Sequence, residues 1–204
     1  MKYILLPIAM LAILSACVEE ERQLPIYGEV DIVDGDTIYH TIRDFTFMDQ
    51  DSQIITNETF ADHIYIADFF FTTCPTICPK VKQQLIRVRD AFPDEDRLKF
   101  LSHSIDTRRD SVPTLRKFAD KLNISSDRWH LVTGDKKALY DIAEDYFSIA
   151  KEDPNAPGGY DHSGYIILVD KNRHIRAYCD GTDPDKVDVF MKDIQKLIDE
   201  IDEG

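Results

Sequence analysis

The sequence predicts an α/β fold in which helices cover a mixed central sheet. Residues 64–71 form a nearly continuous apolar run, as expected for a central strand that is covered on both faces. Segments with helix and strand patterns then alternate over residues 79–146. A hairpin pattern and a long helical pattern follow, so parallel and antiparallel strands are expected in one layered domain.

Local patterns place the individual elements in order. Two hairpins precede the central strand, and the first is centred on Asp34-Gly35, a strong signal for a two-residue turn. Asp135 and Asp183 are predicted N-caps of two later helices, and Pro184 suits the first turn of the last helix. The predicted strands are 29–33, 37–42, 45–48, 53–56, 64–71, 98–105, 129–132, 165–169 and 174–178, and the predicted helices are 79–92, 112–122, 136–146 and 184–201.

This order of strand, helix, strand, helix, hairpin and helix is the order of the thioredoxin fold. The chain adds an extra N-terminal β-hairpin region and an inserted element over residues 111–146. Four cysteines in 204 residues are too few for a disulfide scaffold, and a chain of this length does not need one. One thioredoxin-like domain, residues 25–204, is therefore expected.

The N-terminal residues predict export and a lipid anchor. Residues 4–14 form an apolar run too short to span a bilayer comfortably, and small residues follow before Cys17, which resembles a bacterial lipoprotein signal. We expect a signal peptide at 1–16, a lipidated Cys17 and a tether at 17–24, with the domain facing the periplasm of a Gram-negative-type envelope. The alternative is an uncleaved anchor helix, which also places the domain outside the cytoplasm.

The net charge of the chain limits the classes of molecule that it is expected to bind. The formal net charge is −14, which disfavours nucleic acid as a partner. Anionic lipid would also repel the domain, so only the anchor would hold it at a membrane. A macromolecular partner is then expected to offer a basic patch, unless the acidity serves only solubility.

The cysteines of the segment FFFTTCPTICPK, residues 69–80, are the candidate chemical centre. Cys74 and Cys78 lie where the central strand gives way to a helix, so backbone N–H groups and the helix dipole favour thiolate. Residues at i and i+4 face the same side of a helical turn, close enough to form a disulfide or to hold one ion. Thioredoxin-type motifs have two intervening residues rather than three, and both uses remain open.

Other polar residues within apolar segments also need an interpretation. His162 stands in a Gly-rich loop, GGYDHSGY, that enters a strand of the same sheet. Asp68, inside the central strand, needs a partner or a raised pKa if it is buried. Cys179 is expected to be buried and inert, the alternative being a third redox thiol. The remaining histidines are expected to lie on the surface or to be satisfied in the core: His40, His63, His103, His130 and His174.

Three blocks, in this order and spacing, resemble the Sco/SenC family: TCPTICP at 73–79, SIDTRRD at 104–110 and YDHS at 160–163. The resemblance covers about residues 25–200. It implies a thioredoxin-like domain that binds one copper ion and helps to build the binuclear copper centre of respiratory cytochrome c oxidase. The implied partners are the copper-centre subunit of that oxidase and other copper carriers or thiol reductases.

Carried over by position, the resemblance implies thiolate ligands at Cys74 and Cys78 and an imidazole ligand at His162. Two thiolates and one imidazole form a soft set that suits Cu(I) and accepts Cu(II) with a fourth ligand. Asp161 either orients the imidazole or fills a turn. The acidic block contributes helix caps or loop anchors, outside the copper shell, at Asp106 and Asp110.

A second class of function remains open on the same residues. A thiol:disulfide oxidoreductase would use Cys74 and Cys78 to reduce cysteines of the apo-oxidase or of other exported proteins. A peroxidase is less favoured, because a second cysteine follows within the same turn. His162 separates the two leading hypotheses, since copper binding requires it and disulfide exchange largely does not.

Overall fold

The computed structural model describes residues 23–203. The predicted signal peptide and the predicted lipidation site at Cys17 lie outside these residues. The strands are β1 (Val30–Val33), β2 (Asp36–Tyr39), β3 (Thr46–Met48), β4 (Ile54–Thr56), β5 (Ile64–Phe70), β6 (Leu98–Ser104), β7 (Trp129–Val132), β8 (Ala150–Glu152), β9 (Tyr160–His162), β10 (Tyr165–Val169) and β11 (Ile175–Asp180). The helices are α1 (Cys78–Ala91), α2 (Val112–Lys121), α3 (Lys136–Asp145) and α4 (Pro184–Glu203).

The predicted α/β class with a mixed central sheet is confirmed. Five strands form the central sheet in the order β11-β10-β5-β6-β7. The strands β5, β6 and β7 run parallel, whereas β10 runs antiparallel to both β5 and β11. The predicted N-terminal hairpins form two separate two-stranded sheets, β1–β2 and β3–β4.

The central strand β5 is covered on both faces. All of its residues are buried. On one face, Phe70 contacts Lys82 of α1 and Phe118 of α2. On the other face, Phe69 contacts Tyr146, which directly follows α3. Because neither face meets water, the strand reads as a continuous apolar run rather than as an alternating pattern.

The two N-terminal hairpins differ in their contribution to the core. Every residue of β1 and β2 is exposed. The β3–β4 hairpin instead buries Phe47 and Ile55, and Met48 forms a bridge to Thr133 after β7. Only the second hairpin therefore extends the hydrophobic core.

The predicted caps of the later helices are confirmed. The side chain of Asp135 accepts a hydrogen bond from the backbone N–H of Ala138 at 2.9 Å, within the first turn of α3. The carboxylate of Asp183 accepts from the backbone N–H of Asp185 at 3.1 Å, and Pro184 begins α4. These acceptors satisfy donors that a helix start leaves unpaired.

Three histidines correct the expectation of surface or satisfied side chains. In the described part of the chain, the buried Nδ1 of His63 has no hydrogen-bond partner. The other two, His130 and His103, are buried and only partly satisfied. The Nδ1 of His130 contacts Asp49 Oδ2 at 2.9 Å, and the Nδ1 of His103 lies 3.4 Å from the carbonyl oxygen of Asp68. Within residues 23–203, however, neither Nε2 has a hydrogen-bond partner. Rings rather than polar groups surround His103, including Phe69 at 4.7 Å between centroids, and burial lowers its pKa to about 3.

Within residues 23–203, no helix has both the length and the apolar character that a membrane span requires.

Candidate metal centre

The two candidate thiolates stand at the carboxyl end of β5. Cys78 is the first residue of α1, and Cys74 lies in the loop before it. The expectation that both sulfurs share one face of a helical turn is therefore wrong. Pro75 explains the difference, because a proline disfavours the helical conformation in the residue that precedes it. Both side chains are nonetheless buried, and no disulfide joins them.

The candidate imidazole stands on a hairpin that the sequence does not predict. Strands β8 and β9 pair antiparallel, with Ala150 opposite His162. The ring of His162 lies with its edge toward Phe71, 5.2 Å between centroids, at the start of the cysteine loop. Gly158 allows this approach: its φ is +78°, and an added Cβ would lie 2.7 Å from the Phe71 ring.

The fold brings the three candidate ligand atoms together. The Nε2 of His162 lies 3.7 Å from the Sγ of Cys74 and 3.1 Å from the Sγ of Cys78. All three atoms lie within 4.8 Å of one another. Metal bonds of about 2.3 Å to sulfur and about 2.0 Å to nitrogen, in a trigonal plane, would separate these atoms by about 3.7 to 4.0 Å. A small outward shift of Cys78 therefore makes the cluster fit one ion.

The two thiols share one proton unequally. The hydrogen bond from Cys78 lowers the pKa of Cys74 to about 3, with further lowering from His162 and from backbone N–H groups of Thr76 and Cys78. The same hydrogen bond, together with burial, raises the pKa of Cys78. Cys74 is therefore the more readily ionised of the two thiols, and Cys78 holds its proton more tightly.

The acidic block anchors both ligand-bearing segments. The buried carboxylate of Asp110 accepts hydrogen bonds from the backbone N–H of Thr72 at 2.9 Å, from its hydroxyl and from the Ser104 hydroxyl at 2.6 Å. The buried carboxylate of Asp106 accepts from the Tyr160 hydroxyl at 2.8 Å. One carboxylate thus fixes the cysteine loop, and the other fixes the strand that carries His162. The interpretation as loop anchors is confirmed.

A buried ion pair lies directly beneath the cysteine loop. The Nζ of Lys82 donates to Asp68 Oδ2 and to Ser102 Oγ, each at 2.7 Å. The Trp129 Nε1 also donates to Ser102 Oγ, at 2.9 Å. The sequence analysis expects a partner for a buried Asp68 but does not identify it. The structure shows that this partner is Lys82. The available signal was a lysine among the apolar positions of α1, one helical turn after Cys78.

Two further candidates have plain roles. Among the described residues, the ring of His162 has hydrogen-bond contacts with the two sulfurs and none with Asp161, whose carboxylate pairs across the hairpin with Lys151 at 3.2 Å. Cys179, expected to be buried, is only partly buried on β11, opposite Ile166, and burial raises its pKa to about 12. A raised pKa disfavours the thiolate, which fits the expectation of an inert cysteine better than that of a third redox thiol.

Comparisons with known proteins place this geometry in a family. The SCO1/SenC family model matches residues 34–199. Among curated proteins, the SCO1 protein homolog of Bacillus subtilis is 25% identical over 162 residues, which are 78% of this chain and 84% of that protein.

Solved structures give the same result. A SCO1/SenC family lipoprotein from Bacillus anthracis has a TM-score of 0.71 at 23% identity, covering 78% of this chain and 95% of that chain. BsSco is a member of the Sco family of cytochrome c oxidase assembly proteins in which a disulfide switch was identified. Its TM-score is 0.67 at 26% identity, and the match covers 76% of this chain and 92% of that chain. Arabidopsis thaliana ScoI, solved with copper bound, has a TM-score of 0.63 at 21% identity, and the match covers 76% of this chain and 98% of that chain. The family that the three sequence blocks predicted is confirmed, and the chain belongs to the SCO1/SenC family.

Proposed function

We propose that this chain binds one copper ion through Cys74 Sγ, Cys78 Sγ and His162 Nε2, and delivers it to the binuclear copper centre of cytochrome c oxidase. The observation that carries the proposal is the convergence of these three atoms within 4.8 Å of one another. Copper in the Arabidopsis relative and the oxidase-assembly role of the Sco family member BsSco support it.

The donor set favours copper over zinc. Two thiolates and one imidazole are soft ligands that suit Cu(I). Structural zinc takes four protein ligands, whereas within the described part of the chain only Cys74, Cys78 and His162 form such a cluster. An open side suits an ion that is cargo and must leave again.

The chain's own residues prepare loading and release. The pKa of Cys74 is lowered and that of Cys78 is raised, so Cys74 is the thiol prepared to bind first and Cys78 must lose its proton before it can bind. Asp110 holds the cysteine loop in place through Thr72, so loading requires little more than the small shift of Cys78. His162 closes the site from the β8–β9 hairpin, and its withdrawal frees one side of the ion for an incoming ligand.

We further propose that Cys17 carries the lipid anchor and that the domain faces the periplasm. The lipoprotein from Bacillus anthracis supports the anchor. A fully extended eight-residue tether, residues 17–24, spans at most about 30 Å. The site would then work close to the membrane, where the copper-centre subunit of a membrane oxidase is assembled.

A second candidate function, thiol:disulfide exchange, uses the same sulfurs. Its specific support is the disulfide switch identified in BsSco, together with two free sulfurs within 4.8 Å here. Oxidation of Cys74 and Cys78 to a disulfide would remove both thiolates, so the redox state would decide whether copper can bind.

Copper binding by the reduced full chain tests the proposal. We expect one tightly bound copper per chain, lost in His162→Ala and in Cys78→Ser and kept in the matched control Cys179→Ser. His162→Ala should still form the Cys74–Cys78 disulfide. Stoichiometric copper with unchanged affinity in His162→Ala would refute the ligand assignment. Wild-type protein that binds no copper but rapidly reduces a disulfide substrate would favour the second function.

A further inference from the structure

A cleft between α1 and α2 opens onto the two sulfurs. Its volume is about 390 Å³, near the lower end of the range for pockets that hold small ligands. Besides Cys74 and Cys78, five apolar and three polar residues line it: Phe71, Pro79, Ile86, Phe118 and Leu122, with Thr72, Lys82 and Gln83. This feature, the α1–α2 cleft, is large enough to take the apolar side chain of another molecule next to the sulfurs.

The α1–α2 cleft is separate from the imidazole side of the site. His162 is not among the described residues that line it. A molecule that occupies the cleft therefore reaches Cys74 and Cys78 without first displacing the imidazole.

The two segments that form the cleft have a charge opposite to that of the whole chain. Residues 71–92 contain four basic and one acidic residue, and residues 107–122 contain five basic and two acidic residues. By sequence the two segments are net positive by six, on a chain with a formal charge of −14. Most of these cations pair with carboxylates, including the buried Lys82 with Asp68. Three exposed lysines have no ion-pair partner among the described residues: Lys80, Lys117 and Lys121. An acidic molecule would be repelled by most of this protein and attracted to this region.

Two lysines on α2 are free to meet such a molecule. Lys117 and Lys121 precede the cleft residues Phe118 and Leu122 in sequence, and both are exposed. Among residues 23–203, neither forms an ion pair. Their ammonium groups, one helical turn apart, are thus available to carboxylates of a partner.

We propose that the α1–α2 cleft seats an acidic segment of the partner protein, with an apolar side chain in the cleft and the segment's own thiol facing Cys74 and Cys78. The inference rests on the proposed function, because a partner must approach these sulfurs whether it receives copper or exchanges a disulfide. Apolar contact and charge complementarity together define the segment. The acidic charge of the whole chain predicted a partner with a basic patch. At the α1–α2 cleft the expected partner segment is acidic instead.

Disulfide exchange with synthetic peptides tests the inference. Each peptide carries one cysteine capped as a disulfide with 5-thio-2-nitrobenzoate, preceded by leucine and flanked by either carboxylates or lysines. The Cys74 thiolate attacks the peptide sulfur and forms a protein–peptide disulfide. The bond to the cap breaks, and its electron pair leaves on the coloured thiolate, whose release is followed by absorbance.

We expect the acidic peptide to react about 10-fold faster than the lysine peptide at low ionic strength. Salt should reduce this ratio, because it screens exposed charges. Replacing the leucine by glycine in the acidic peptide should slow its reaction about 10-fold, the effect of losing one side chain from an apolar pocket.

Matched variants locate the effect. The variant Lys117→Glu/Lys121→Glu should lose the preference for the acidic peptide, and Lys117→Gln/Lys121→Gln should lose part of it. The control Lys192→Glu/Lys196→Glu makes the same charge change at the same spacing on α4, and should keep the preference. The inference would be overturned by equal rates for the acidic and lysine peptides, or by a leucine-to-glycine change that has no effect. It would also be overturned if the α2 variant and the α4 control, both lysine-to-glutamate, lost the preference for the acidic peptide to the same extent.

The outcome is separable from that of the proposed function. Copper stoichiometry is measured on the same wild-type preparation. Intact copper binding with charge-independent exchange rejects only the docking surface, whereas absent copper binding with a clear acidic preference rejects only the copper assignment.

Discussion

The candidate metal centre joins a thiol half that belongs to the core with an imidazole half that lies at the edge. The thiol half follows β5, which is buried at every residue, and is held by Asp110. The imidazole half is the β8–β9 hairpin, whose strands have three residues each and are mostly half-buried or exposed. Its buried anchor is the Tyr160 side chain on Asp106.

This difference explains how one site can both hold and release an ion. Buried backbone and carboxylate hydrogen bonds keep the sulfurs in place, because their opening would require part of the core to open. The hairpin has few buried contacts and can open locally at much lower cost. Under the proposed function, we expect the thiol half to stay in place while the ion is held by all three ligands, and the imidazole half to move when the ion is released.

The largest effect on stability is expected when the buried ion pair beneath the thiol half is broken. Lys82→Met leaves the Asp68 carboxylate buried without its cation, and should lower the free energy of unfolding by about 3–5 kcal/mol. Urea denaturation measures it. The double variant Asp68→Leu/Lys82→Met should recover most of the loss. A single variant as stable as the wild type would show that the buried pair does not support the loop.

The next effect tests the core behind the cysteine loop through pH. Burial lowers the pKa of His103 to about 3. Between the unfolded value of about 6.5 and this folded value, only the unfolded chain binds the proton, so stability falls as the pH decreases. At pH 4 the loss should be about 3 kcal/mol relative to pH 7.

Denaturation of the His103→Phe variant isolates this contribution. Carboxylates titrate in both proteins, so the difference between their pH profiles reports His103 alone. The variant should lose less stability between pH 7 and pH 4. Identical profiles would mean that His103 becomes protonated in the folded protein.

A smaller effect separates the anchors of the two halves. Asp110→Ala leaves the Thr72 and Ser104 donors unpaired and should cost about 2–3 kcal/mol of unfolding free energy. Copper affinity should fall with it, because the cysteine loop loses its position. Thermal denaturation and competition with a Cu(I) chelator measure the two quantities. Unchanged affinity in a folded variant would show that the loop needs no such anchor.

The smallest effect on stability is expected in the imidazole half. Tyr160→Phe removes one hydroxyl from Asp106 and should cost only about 1 kcal/mol. Copper should nevertheless leave faster to an excess of chelator, since the hairpin that carries His162 is less firmly held. Release followed by absorbance checks this. A release rate equal to that of the wild type would argue against the hairpin as the moving part.

The thiol half could be predicted from the sequence because strong local signals define it. A continuous apolar run identifies β5, and two cysteines at the start of a helical pattern identify the reactive loop. The position of Cys74 outside the helix follows from Pro75, whose effect on the preceding residue outweighs the helical spacing. The lysine among the apolar positions of α1 indicates a buried cation, but its pairing with Asp68 depends on a contact between strand and helix that no local pattern encodes.

The imidazole half could not be predicted in the same way. The strands β8 and β9 are short and carry charged residues such as Lys151, Glu152 and Asp161, so no apolar alternation reveals them. His162 was assigned through resemblance to a family rather than through its own pattern. Its proximity to the sulfurs arises from Phe71 and Gly158, which let the hairpin fold over the cysteine loop.

X-ray absorption at the copper edge of the Cu(I)-loaded full chain tests the central claim most directly. The account predicts two sulfur neighbours at about 2.3 Å and one nitrogen neighbour at about 2.0 Å, bond lengths typical of thiolate and imidazole ligands. In His162→Ala, any weakly held copper should keep both sulfurs and lose the nitrogen. A wild-type spectrum with fewer than two sulfurs, or with the same nitrogen in the variant, would contradict the assignment of Cys74, Cys78 and His162 as the copper ligands.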